Sequence, residues 1–214
     1  MQAFGTIYRL HSLLCEFLLN ISTSGHYDSP WATPEHVFYS SAWYSEILSV
    51  LRYLQLSQPD VFVDLGCGKG RVVCCAARYP IRRVIGVDDV EELTHAAISN
   101  AQTMRNRRAE ISIVRCKAED FDFSEATVLY LYNPFGAYTL QTVLDRIRNS
   151  LDTHQREIKI AYVNPKHDEV LERMQWLERY THWPRRPSRG FEFAVSFWRS
   201  RPSQTAVASA NDLT

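Results

Sequence analysis

The stretch Val61-Phe62-Val63-Asp64-Leu65-Gly66-Cys67-Gly68-Lys69-Gly70-Arg71 decides how the rest of the chain is read. A short apolar run ends in a carboxylate, three glycines follow at alternate positions, and a helical pattern begins at Arg71. Such a run, bounded by turn residues, reads as a buried strand. Glycine lets the turn take positive φ and lets the backbone approach a ligand with no Cβ in the way. The helix that follows presents free N–H groups at the carboxyl end of the strand, where open α/β sheets bind ligands. A dinucleotide fingerprint would place its third glycine where Arg71 stands. The observed GxGxG spacing, with an acidic residue two positions ahead of it, fits that fingerprint poorly and moves the reading away from NAD.

Outward from this turn, short β-branched runs alternate with helical patterns. Strands are predicted at Val61–Leu65, Arg83–Val87, Ile111–Cys116, Val128–Tyr132 and Ile158–Val163, and helices at Arg71–Tyr79, Glu91–Arg105 and Tyr138–Leu151. In the last of these Leu140, Val143, Leu144, Ile147 and Leu151 form an apolar stripe. This alternation is that of a doubly wound α/β sheet with helices on both faces. After the fifth strand the pattern predicts a helix over Asp168–Arg179, an aromatic stretch Trp176–Trp183 and a final strand Phe191–Trp198.

The segment Asp64-Leu65-Gly66-Cys67-Gly68-Lys69-Gly70-Arg71 resembles motif I of class I, Rossmann-like S-adenosylmethionine-dependent methyltransferases. The resemblance implies a seven-stranded sheet with an antiparallel last strand. It also implies that Asp64, Gly66, Gly68 and Gly70 back the amino-acid part of S-adenosylmethionine, with S-adenosylhomocysteine as the product. The second strand ends in Asp88, which resembles the family's second motif, whose carboxylate holds both ribose hydroxyls; Asp89 is adjacent and is the alternative. One carboxylate can accept two hydrogen bonds from a vicinal diol. Lys117-Ala118-Glu119-Asp120-Phe121 resembles the loop that lies along the adenine, although Lys117 stands where an Asp is common. That departure leaves Ala118, through its backbone, and Glu119 as the adenine contacts. The resemblance runs over residues 58–199.

The fourth strand runs into Asn133-Pro134-Phe135-Gly136, which resembles the catalytic motif of methyltransferases acting on nitrogen but lacks its second proline. The resemblance implies that Asn133 accepts a hydrogen bond from an attacking N–H and borders the donor. Phe135 would give a planar or cationic acceptor an aromatic wall. Asn-Pro at a strand end is also turn chemistry, and Asn164-Pro165 repeats it after the fifth strand. Ahead of the first strand, Tyr39 can line the donor pocket, as that region does in the family, or pack on the core.

Composition bounds the remainder. With 214 residues and equal numbers of acidic and basic side chains, the chain fits one α/β domain. Its zero formal charge disfavours nucleic acid as an acceptor, since phosphate contacts need a concentrated basic surface. Arg185, Arg186 and Arg189, beside Trp183, read as a solvated loop. Five cysteines form no CxxC pair, which suits a reducing compartment, and the histidines show no metal-binding spacing. Leu10, Leu13, Leu14 and Leu18 fall at helical spacing between Phe4 and Ile21 in a run that Glu16 interrupts. This predicts a docked amphipathic helix with no membrane span, with an interfacial anchor or a processed leader as the alternatives, and a cytoplasmic address. Residues 1–57 are read as a helical or lid segment over the carboxyl edge of the sheet, 58–199 as the donor-binding domain and 200–214 as a disordered tail. The expected reaction is N-methylation of a protein side chain or a small amine. A non-catalytic cofactor- or partner-binding module and an NAD-dependent oxidoreductase are the alternatives.

Overall fold

The computed structural model describes residues 2–25, 42–186 and 192–201. Seven strands form one sheet: β1 (Val61–Leu65), β2 (Arg83–Asp88), β3 (Glu110–Arg115), β4 (Val128–Tyr132), β5 (Lys159–Val163), β6 (Leu177–Trp183) and β7 (Val195–Ser200). Their order is β3-β2-β1-β4-β5-β7-β6, with β7 antiparallel to both of its neighbours and the first five strands parallel. The order reverses between β1 and β4, so the crevice outside their carboxyl ends is the topological switch point.

Alternation along each strand divides the core between two faces. Phe62, Val84, Val128 and Tyr130 face α2 (Tyr44–Tyr53), α3 (Arg71–Ala76) and α4 (Glu91–Thr103). Val63, Leu65, Leu129 and Leu131 face α5 (Ala137–Thr153) and α6 (Asp168–Glu172). The predicted stripe Leu140, Val143, Leu144, Ile147 and Leu151 is buried as one side of α5.

Two expectations on the carboxyl-terminal side need correction. The helix predicted over Asp168–Arg179 stops at Glu172, and the aromatic stretch after it becomes β6. β6 is an edge strand paired with β7 alone, so its residues are mostly half-buried and lack the apolar alternation of an inner strand. The final strand is Val195–Ser200; Phe191 lies outside the described residues.

The amino-terminal helix α1 (Gln2–Leu19) forms as predicted but faces the other way. Leu10, Leu13, Leu14 and Leu18 are all more than half exposed, while Ser12 and Glu16 are buried. Its seating is polar. The Glu16 carboxylate, the Thr23 hydroxyl, the Ala42 carbonyl and the Ser24 hydroxyl all accept from the Arg71 guanidinium, at 2.8–3.2 Å. Burial pushes the Glu16 carboxyl up, but hydrogen bonds from Thr23 and Ser24 and the charge of Arg71 outweigh it and hold the group below its usual range. Among the described residues no helix is long and apolar enough to cross a membrane. The tail beyond residue 201 and Tyr39 lie outside the described residues.

Candidate active site

The glycine turn closes onto β2 through its backbone. The Gly66 and Cys67 N–H groups both donate to the Val87 carbonyl, at 2.8 and 2.9 Å. Gly66, Gly68 and Gly70 all have positive φ (76°, 53° and 80°), and Gly70 is the residue from which α3 starts. A side chain would also clash at Gly66 and be tight at Gly70. A Cβ on Gly66 would lie 2.7 Å from the Pro134 Cβ, and one on Gly70 would lie 3.2 Å from the Ala97 Cβ. The first contact matters most: it sets the Asn-Pro end of β4 directly against the glycine loop.

Asp88, at the end of β2, accepts one backbone N–H on each oxygen, from Gly68 (2.8 Å) and Val90 (3.0 Å). Each oxygen keeps a further lone pair, and the side chain is only half-buried, so a vicinal diol can still be received there. Burial raises its pKa against the pull of those two N–H donors. Asp89 is exposed. Asp64 is buried, and its carboxyl is held well above the usual carboxylate range, first by burial and then by the Asp88 charge. A cationic ligand beside it would favour the ionised form.

Asp64 registers with Gly86 on β2 and with Tyr130 on β4. The Tyr130 hydroxyl is buried and, among the described residues, has no hydrogen-bond partner. Asp64 and then Glu46 are its charged neighbours. Such an orphan calls for an unseen polar partner. Glu46 is itself buried: its carboxylate accepts from the Trp43 and Glu192 N–H groups, and burial pushes its pKa up to about 7.

At the end of β4, Asn133 has φ of 40° and is buried; its carboxamide oxygen accepts from the Tyr162 hydroxyl at 3.2 Å. Asn164 has φ of 52°, so both Asn-Pro pairs end their strands in the left-handed conformation. Phe135 is 9% exposed and packs into the core beside Leu140 and Leu144, leaving little ring surface for a ligand. Tyr138, in the first turn of α5 close by, is 79% exposed. Ala118 and Glu119 lie in a short 3-10 turn after β3, both half-buried, and the Cys116 N–H ties that turn to the Asp88 carbonyl. Arg185 and Arg186 are exposed, and Arg189 lies outside the described residues. A separate cleft of about 640 Å³, lined by Arg52, Tyr53, Lys159, Tyr180, Trp183 and Arg199, opens at the amino end of β5 and away from this site.

Several residues that shape the site were not singled out from sequence. Asn100 on α4 receives the Ser22 N–H and donates to the Ser22 and Lys69 carbonyls, while the Lys69 ammonium donates to the Ser24 carbonyl. The segment after α1 is thereby stitched onto the donor loop. Glu16 inside an apolar run and Arg71 directly behind the glycines were the two visible signals. Gly86, a lone glycine inside a strand, gives no sequence signal of its role: a Cβ there would come within 2.9 Å of both Cys67 and Val73.

The sheet order and the glycine loop at its switch point define a Rossmann-like nucleoside-binding architecture. Residues 62–154 match the family described as "Methyltransferase domain". Over 45% of its length the chain is 31% identical to a protein-lysine N-methyltransferase of Saccharolobus islandicus, of which that match spans 60%. It is 30% identical, over 49% of its length, to a histone-lysine N-methyltransferase specific for H3 lysine-79 from Dictyostelium discoideum, spanning 7% of that protein. An RNA methyltransferase from Salinibacter ruber, crystallised with S-adenosyl-L-homocysteine, superposes with a TM-score of 0.57 at 20% identity, over 77% of this chain and 98% of that one. Over residues 62–154 the chain is thus similar to methyltransferase domains, and its fold is that of the class I, Rossmann-like methyltransferases.

Proposed function

We propose that this protein is an S-adenosylmethionine-dependent N-methyltransferase whose acceptor is an amine, with a protein lysine side chain as the leading candidate and a small amine next. The observation that carries the reading is the contact of Pro134 with Gly66, which joins the end of β4 to the donor loop. Both partial relatives named above are lysine N-methyltransferases, which supports the choice of acceptor. The neutral formal charge weighs against nucleic acid.

The donor, when bound, supplies an electrophilic methyl group on a sulfonium centre. The chain's own groups have the tasks of holding and aligning. Gly66, Gly68 and Gly70 provide a backbone cradle, Asp88 receives the ribose hydroxyls, and Asp64 offers negative charge to the donor's cationic end. The turn at Ala118 and Glu119 borders the adenine. Asn133 has a second lone pair on its carboxamide oxygen beyond the one taken by Tyr162, and it can orient an acceptor N–H there. Transfer of this kind depends on alignment and on exclusion of water more than on acid–base groups.

One observation favours a second reading, a donor-binding module without catalysis: Phe135 is packed into the core and Asn133 already has an internal partner. Calorimetric titration with S-adenosylmethionine, S-adenosylhomocysteine and NAD, followed by labelled-donor assays on lysine-bearing proteins, free amines and oligonucleotides, separates the readings. Binding of the sulfonium pair with label on an amine is expected. Donor binding without transfer to any acceptor would leave the module, and NAD binding alone would overturn both.

A further inference from the structure

We propose that the outward face of α1 is a dimer interface, covered by the same helix of a second copy of this chain. Ile7, Leu10, Leu13, Leu14, Phe17 and Leu18 are each between 53% and 74% exposed, all on one helix. Isolated exposed apolar residues need no explanation, but a contiguous row of six marks an interaction surface.

The spacing says what fits the row. Ile7, Leu10, Leu14 and Phe17 follow one another at three, four and three residues, the a/d seam of paired helices, with Leu13 and Leu18 on its flanks. A self-complementary helical face is what a two-fold symmetric pair requires. At roughly 100 Å² per side chain, two such faces would bury on the order of 1,200 Å², the lower end of the range for stable interfaces.

The face is also held in place from behind. Leu19, Ser12 and Glu16 are buried, the Arg105 N–H donates to the Leu19 carbonyl at 2.8 Å, and the Asn20 amide donates to the Thr103 carbonyl at 2.9 Å. With Glu16 bound to Arg71, the helix cannot roll its leucines inward without breaking a buried ion pair. Pre-organisation of this kind lowers the entropic cost of association. A lipid surface is the less suitable occupant. Interfacial helices carry a polar face rich in Lys and Arg, whereas Arg9 is the one charged residue among the described exposed positions of α1.

The test is sedimentation velocity of the full chain over a concentration series, run beside the Leu10→Glu/Leu14→Glu variant. Wild type should sediment as a dimer and the variant as a folded monomer with unchanged circular dichroism, because both leucines point outward. Hydrogen exchange on wild type serves if the variant fails to fold: α1 amides should gain protection as concentration rises. A dimer that survives in the folded variant would overturn the interface, as would α1 protection independent of concentration. A wild-type monomer would overturn the proposal outright. Flotation of that monomer with phosphatidylcholine–phosphatidylserine vesicles would assign the face to lipid.

Discussion

The proposed donor end of the site, at β1 and β2, is fixed mainly by backbone geometry, whereas the proposed acceptor end, at β4, rests mainly on side chains. At the first, three left-handed glycines, two N–H bonds to Val87 and a Pro134 ring in the place of a Gly66 side chain leave the loop one conformation. At the second, the same length of chain holds an Asn whose oxygen serves a neighbouring Tyr and a Phe turned into the core. A constraint on the main chain restricts which residues can stand there and so is written in the sequence. A constraint on a side chain's direction is not.

The sharpest way to break this comparison is Gly66→Ala. The new Cβ meets both a φ of 76° and a Pro134 Cβ at 2.7 Å. The left-handed conformation costs about 1–2 kcal/mol and the overpacking about 1–3 kcal/mol more. A large fall in melting temperature and loss of donor binding are expected; a stable variant with normal donor affinity would mean the loop is not rigid.

Asp88→Ala removes the proposed ribose acceptor and the anchor of the Gly68 and Val90 N–H groups. Donor binding should weaken by about 1.5–3 kcal/mol in a folded protein, as read by calorimetry. Unchanged affinity would remove Asp88 from the site.

Asn133→Ala sharpens the contrast from the other side. Turnover should fall about tenfold, or roughly 1.4 kcal/mol in the barrier, with donor affinity preserved. A parallel loss of donor affinity would show that the two ends are one unit.

The smallest effect is a proton count. The Asp64 carboxyl sits above its ordinary pKa in the donor-free protein, through burial first and the Asp88 charge second. A bound cation favours the ionised form, so donor binding should release protons and tighten as pH rises towards the raised value. Titration in buffers of different ionisation enthalpy measures this, and proton uptake would contradict the placement of Asp64 beside the donor's positive end.

Legibility followed the same division elsewhere. The inner strands were readable because Val61–Leu65 and Val128–Tyr132 are apolar runs flanked by turns. β6 was not, since Glu178, Arg179, Thr181 and His182 leave Leu177–Trp183 without an apolar run. The helical period of α1 was visible, but which side faces inward depends on Arg71, and hydrophobic periodicity carries no information about a distant guanidinium. Adjacent in sequence, Asp88 and Asp89 remained alternatives there; in the fold Asp88 accepts from the Gly68 N–H while Asp89 is exposed.

The Glu16–Arg71 pair also has a consequence for the order of events during translation. The two residues are 55 positions apart, which at about 5–20 residues per second is an interval of roughly 3–11 s. Throughout that interval Glu16 lacks the Arg71 guanidinium that seats it in the folded protein. The seating of α1 seen in the folded protein is therefore completed only once the first residue after the glycines has been made.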